Sequence, residues 1–157
     1  MLLKILPVLL IGLVSNLTAQ IEPVSLDEAN EIGVKQSRLI FLIEQRVDCL
    51  LTENFKKTAL QNPEVQQILQ KHYVYASETI RPGALKLPDN LVSPYLQRKK
   101  NDTISPQMKI LDKDQKTLQT FSGKITEQKL ILILRYFAEE HYKRTPWEKF
   151  IKSLPRN

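Results

Sequence analysis

The sequence predicts an α/β domain, and three observations carry that prediction. A short, continuous apolar run, residues 39–43, sits between stretches whose apolar residues recur at helical spacing. A half-exposed alternating segment around Met108 and Ile110 meets turn residues at Asp112-Lys113-Asp114-Gln115 and then a second extended run, 117–121. An apolar block, residues 130–134, carries helix signals on both sides. The predicted order is helix, strand, helix, second helix, strand, loop, two strands, helix.

Each element has its own signal. Ser25-Leu26-Asp27-Glu28 is a capping box: the serine oxygen accepts from a backbone N–H and Glu28 reaches back. Leu26, Ala29, Ile32 and Gly33 share the inner face of the helix that follows, which ends near 35–37. Residues 39–43 are apolar at every position, as suits a central strand covered on both faces. After a short loop Cys49 begins the next segment, where Leu51, Phe55 and Ala59 recur at helical spacing and Glu53, Lys56 and Lys57 form the wet side. Asn62 caps a further helix with Pro63 in its first turn, and Val65, Ile68 and Leu69 are its inner stripe.

A second strand opens at Val74 and Tyr75 and runs to about Ser77. Residues 79–105 form a long loop punctuated by Pro82, Pro88 and Pro94 and closed by Pro106, with a short helix over 90–97. Loops of this length inside a compact domain are often functional. Alone, residues 130–134 read as a strand. Thr126 as cap, Glu127 at the start and His141, Lys143 and Arg144 at the end make 126–142 a long buried helix instead. Pro146 restarts the chain, and Trp147, Phe150 and Ile151 make a short amphipathic helix that docks on the body.

At 157 residues the chain has the length of one domain, and 42% apolar with 25% charged residues is enough for a compact core. Its beginning stands apart. Lys4 is the only charge in the first nineteen residues, 5–14 is nearly all apolar, and Ser15-Asn16-Leu17-Thr18-Ala19 is mostly small and polar. That is the order of a secretory signal, too short for a comfortable membrane span. The expectation is a signal over 1–19 cut after Ala19, a main domain over 20–145 and a helical extension over 146–157, in the periplasm or secreted. A retained N-terminal anchor is the alternative, since one lysine makes a weak n-region.

Charge narrows the partners. The formal net charge of +6 falls to about +5 once Lys4 is removed. No aromatic-rich basic stripe accompanies it, which argues against nucleic acid. Arg98-Lys99-Lys100 reads as a solvated loop or a partner contact, and Asn101-Asp102-Thr103 is a glycosylation acceptor only in a eukaryotic secretory host. His72 and His141 are too few and too scattered for a metal site, and no cofactor is expected. Cys49 is the one cysteine, so no internal disulfide closes and the fold must rest on its core. The thiol is joined to another molecule, used in chemistry, or packed as a small hydrophobe.

Several of these features fall in a familiar order. Cys49 follows an apolar strand and opens a helix, Thr52 stands three residues on, and Asn62-Pro63-Glu64-Val65 starts a second helix. Ile104-Ser105-Pro106 precedes the strand Gln107-Met108-Lys109-Ile110-Leu111, and Asp112-Lys113-Asp114 forms a hairpin tip. Over roughly residues 25–142 this resembles the thioredoxin-like superfamily, closest to exported, periplasmic thioredoxin-related proteins of the thiol:disulfide interchange type. The resemblance implies a central four-stranded mixed sheet flanked by helices, with an inserted loop before the cis-proline position. It also implies that the first and third core strands are antiparallel.

By the same resemblance Cys49 takes the first cysteine position, Thr52 the second, and Pro106 the cis-proline position, with Ser105 facing Cys49 and pairing with an extended substrate. The family's second cysteine is missing, and Val47-Asp48 stand where an aromatic residue is usual. Both departures argue against ordinary dithiol chemistry. What remains is monothiol thiol-disulfide exchange or isomerisation. Cys49 is favoured as thiolate by the helix N-terminus, the Thr52 hydroxyl donates to it, Arg46 adds positive charge and Asp48 opposes. The implied substrates are a protein disulfide or a small glutathione-like thiol, with an inner-membrane protein as a possible redox partner. The second function class is a non-catalytic thioredoxin-fold module that binds an exported partner through the Pro106 face and the loop over 81–103.

Overall fold

The computed structural model describes residues 21–46, 49–80 and 106–155. The expected signal segment, most of the long loop with its short helix, Ser105 and hence the isomer of the Ser105–Pro106 bond lie outside the described residues. Helix α1 (Leu26–Gln36) begins where the capping box places it. Ser25 accepts from the Glu28 N–H at 3.2 Å, and the helix ends at Ser37 with φ of 52°. Strand β1 (Leu39–Arg46) follows and outruns the apolar segment, because β2 (Tyr73–Ile80) pairs parallel with it along its whole length, from Leu39↔Tyr73 to Arg46↔Ile80. On the other side of β1 lies β3 (Gln107–Leu111), antiparallel, and β4 (Thr117–Ser122) pairs antiparallel with β3. The sheet order is β2-β1-β3-β4, a four-stranded mixed sheet flanked by helices.

Alternation along β1 sorts the core into two layers. Phe41 and Ile43 face one side together with Tyr73, Tyr75, Met108 and Ile110. Ile40 and Leu42 face the other with Val74, Ala76 and Leu111, covered by Ala29 of α1. The first layer is roofed by α2 (Leu50–Lys57), α3 (Pro63–His72), α4 (Glu127–Ala138) and the C-terminal α5 (Trp147–Ser153). Asn62 caps α3, accepting from the Glu64 N–H at 2.9 Å and the Val65 N–H at 3.3 Å. Gln66 is buried, and both ends of its amide are bonded: its Nε2 donates to the Leu60 carbonyl, and its Oε1 accepts from the Ile21 N–H at 3.0 Å.

Two helices differ from the sequence expectation. The helix over 126–142 stops at Ala138. Glu140 turns into the left-handed region, φ 56°, and a 3₁₀ turn, His141–Lys143, lets the Tyr142 ring pack on Phe137 at 5.1 Å before α5 begins. In α2 the inner face starts one residue later than the expected Leu51: Thr52 and Phe55 are buried, followed by Ala59 in the next turn, while Leu51 is 46% exposed. No helix of the described residues is long and apolar enough to cross a membrane.

Phe41 lies at the centre of the larger layer, with ring centroids 6.5 Å from Tyr73 and 6.1 Å from Tyr75. Phe41→Ala removes one ring from that stack and is expected to cost about 3–5 kcal/mol of stability. Urea unfolding followed by circular dichroism checks it, and a loss under about 1 kcal/mol would show that the layer collapses to fill the gap.

Candidate functional site around Cys49

Strand direction decides what meets at the C-terminal end of β1. Because β3 runs antiparallel to β1, its first residues lie beside the last residues of β1, with Glu44 opposite Gln107. Because β4 runs antiparallel to β3, its end lies there too, with Gln107 opposite Ser122. The start of α2, Pro106 and the segment Gly123-Lys124-Ile125 therefore share one end of the sheet. Leu51, Phe55, Pro106, Gly123, Lys124 and Ile125 line a groove of about 170 Å³ there. Gly123 has φ of +95°, a conformation that L side chains rarely adopt, so glycine suits this turn out of β4.

Cys49 is the N-cap residue of α2, with φ −80° and ψ 100°, and its carbonyl accepts from the Glu53 N–H at 3.1 Å. It is half-buried. The first N–H groups of a helix lack intrahelical partners and, with the helix dipole, favour negative charge on a neighbouring sulfur. Glu53 in the first turn opposes that field, and its ion pair with Lys56 at 3.7 Å offsets part of the charge. Leu50 beside the thiol is 84% exposed, so apolar surface flanks it on the open side. Burial pushes the Tyr75 phenol up, and the carboxylates of Glu22 and Glu53 add to the effect.

Thr52 lies in the first turn of α2 and is only 1% exposed. Its hydroxyl oxygen is buried and makes no hydrogen bond among the described residues. Gln45, near the end of β1, likewise has a buried side-chain oxygen without a hydrogen bond. Hydroxyl and amide oxygens in such surroundings normally have partners, so these two atoms mark the least satisfied part of this end of the sheet.

No family model matches this chain, and no curated protein matches it in sequence. Solved structures do match. A DsbH oxidoreductase aligns with a TM-score of 0.56 and 15% identity, covering 77% of this chain and 86% of its own. A thioredoxin from Thermus thermophilus gives a TM-score of 0.56 and 15% identity over 76% and 88% of the two chains. A thioredoxin-fold protein from Helicobacter pylori gives 0.53 and 17% over 74% and 79%. The fold is thioredoxin-like. In this thioredoxin-like chain Cys49 and Thr52 sit in the first turn of α2, and Pro106 borders the groove that α2 also lines. Arg46 ends β1, while its side chain, like Ser105, lies outside the described residues.

Sequence reasoning passed over Leu50, the Gly123-Lys124-Ile125 turn and Gln45. It also missed the part-buried Lys109–Glu44 pair at 2.6 Å, on the α1 side of the same sheet end. The glycine directly after a strand was the one signal that would have pointed to the turn. Among the described residues no group of three or more His, Cys, Asp or Glu side chains could hold a metal ion.

Valine matches threonine in shape and lacks the unsatisfied hydroxyl. Thr52→Val is therefore expected to raise stability by about 1 kcal/mol, read as a higher urea midpoint at unchanged slope. A lower midpoint would mean that the hydroxyl has a bonded partner in solution.

Proposed function

We propose that this protein is exported and performs thiol-disulfide exchange through Cys49 as a monothiol. The observation that carries the reading is the placement of Cys49 at the N-cap of α2, straight after the central strand, at the sheet end that also holds Pro106. The likeness to a DsbH oxidoreductase and to a thioredoxin supports the same reading at the level of fold.

The chemistry follows from one sulfur. The Cys49 thiolate attacks one sulfur of a substrate disulfide; the bond from Sγ to that sulfur forms, the old S–S bond breaks, and the other substrate sulfur leaves as thiolate and takes a proton from water. Thr52, at the position of the second cysteine, cannot resolve the mixed disulfide. Release needs an outside thiol of the glutathione class or a partner's cysteine, which attacks the substrate sulfur, forms a new disulfide with it and returns Cys49 as thiolate. The Thr52 hydroxyl, buried and without a hydrogen bond among the described residues, stands three residues on as a donor to accompany that sulfur. Leu50 and Leu51 and the groove beside them suit apolar segments of a protein substrate.

A binding module without catalysis is the second reading. It is favoured by the absence of any second cysteine and by the exposed Leu50. One set of assays separates the two. Under exchange, native Cys49 alkylates faster at neutral pH than a model thiol of pKa about 8.5. It attacks a glutathione mixed disulfide in a single turnover, Cys49→Ser abolishes that reaction, and insulin reduction with a thioredoxin-type reductase stays weak until Thr52→Cys restores a second thiol. If native Cys49 reacts no faster than the model thiol and Thr52→Cys gains nothing, the binding reading stands instead.

Export has its own test. N-terminal sequencing of protein from the native host is expected to begin at or near Gln20. Protein that keeps Met1 in the cytosol would remove the oxidising compartment from the argument.

A further inference from the structure

Thr52 is the third residue of α2, and Cys49 caps that helix. A side chain at the third position reaches back toward the cap residue, as the glutamate of a capping box does. The Thr52 hydroxyl is thus the side-chain polar group that α2 turns toward its own cap. It is 1% exposed and makes no hydrogen bond among the described residues. A hydroxyl has a proton to donate, and a thiol sulfur is a weak acceptor for it. An oxygen carried on that sulfur is a stronger one.

Two further observations bear on a sulfur in this position. The chain has no second cysteine, so an oxidised Cys49 cannot close an internal disulfide. Cys49 is also half-buried. A peroxide is small at its reacting end and needs neither the groove nor the Pro106 face to reach the sulfur. Reactivity toward peroxides follows thiolate character, which the start of α2 favours as it does for exchange.

We propose that Cys49 is also oxidised by hydroperoxides, to a sulfenic acid whose oxygen accepts a hydrogen bond from Thr52 and which persists until an outside thiol reduces it. The Cys49 thiolate attacks one oxygen of the peroxide. The S–O bond forms, the O–O bond breaks, and the other oxygen takes a proton and leaves as water or an alcohol. Sulfur loses two electrons and the peroxide gains them. A thiol of the glutathione class then attacks the sulfenic sulfur, releases water and leaves a mixed disulfide on Cys49. A second such thiol attacks the outer sulfur, forms a disulfide with it and returns Cys49 as thiolate. The inference rests on the same thiolate as the exchange reading and adds a second class of oxidant to it.

The test mixes the reduced protein, freed of small thiols, with equimolar hydrogen peroxide and dimedone, which alkylates sulfenic acids. Peptide mass spectrometry locates the adduct. One adduct at Cys49 is expected, and none from Cys49→Ser. Thr52→Ser keeps a hydroxyl and should react at the parent rate. Thr52→Val should react about tenfold more slowly once each rate is divided by the fraction of thiolate at that pH, through loss of one hydrogen bond to the transferred oxygen. That division removes any effect on thiol acidity, and a threonine that only packs would not move the quotient. An intact thiol after exposure to peroxide overturns the proposal. So does a Thr52→Val rate per thiolate equal to the parent's. Passage straight to the sulfinic acid, with no dimedone adduct, overturns it as well, because the sulfenic oxygen is then not held. Attack on a glutathione mixed disulfide without any oxidation by peroxide leaves exchange standing and removes this inference alone.

Discussion

Everything in this fold is referred to β1. It is hydrogen-bonded on both sides, parallel to β2 and antiparallel to β3, and it is covered on both faces. Such a strand has no wet position to offer between Leu39 and Ile43, and its sequence is apolar at each of them. The mixed pairing also fixes what gathers at its exit. The parallel neighbour sends the chain away, whereas the antiparallel neighbour starts there and its own partner ends there. A helix start, the head of β3 and the turn out of β4 thus meet at one end, whatever residues occupy them.

The opposite end of β1 is tied by a different device. Arg38, just ahead of the strand, donates from Nη2 to the carbonyls of Leu69 and Tyr73 and, at 2.6 Å, to that of Gln70. Burial holds its guanidinium pKa below the usual value, and the charge is kept because carbonyl oxygens replace water around it. This one side chain ties the entry of β1 to the end of α3 and the start of β2, the first parallel pair Leu39↔Tyr73. From that pair the parallel register runs along β1 to Arg46↔Ile80.

Much of this was legible in the sequence, and the reasons differ by element. Ser25, Asn62 and Thr126 each precede a helix and each accepts the expected backbone N–H, since a short polar side chain there has little else to bond. β1 and β3 were legible because continuous and alternating apolar patterns map directly onto strands buried on two faces or one. The full extent of β2 was not, since Glu78 and Thr79, beyond the expected end at Ser77, are polar; they pair with Glu44 and Gln45 of β1. Phase within α2 was also hidden. Leu51 and Thr52 invite the opposite assignment from the one adopted, because hydropathy places leucine inside and the structure turns it to the groove. The break after Ala138 left no composition signal, as Glu139 and Glu140 are good helix residues and the turn at Glu140 goes with the packing of Tyr142 on Phe137. Of the site, Cys49, Thr52 and Pro106 were legible only through order and spacing.

Several buried polar groups join elements of the fold. Gln66 uses both ends of its amide to join the start of the described chain to the α2–α3 junction, and the Tyr73 hydroxyl donates to the Leu134 carbonyl at 2.7 Å, joining β2 to α4. These side chains are polar because they have partners, and burying them satisfied is compatible with a stable core. Thr52 is as deeply buried and has no hydrogen bond among the described residues. A valine would fill the same space without an unsatisfied oxygen, so packing alone does not account for a hydroxyl at this position. The unsatisfied atom lies in the first turn of the helix that Cys49 caps, at the sheet end where strand direction gathers Pro106 and the Gly123 turn. Natural folds tolerate local cost of this kind where a residue is kept for something other than stability. Asn30 and Arg38 also carry a buried side-chain atom without a hydrogen bond among the described residues, so what sets Thr52 apart is its place beside Cys49 at that end of the sheet.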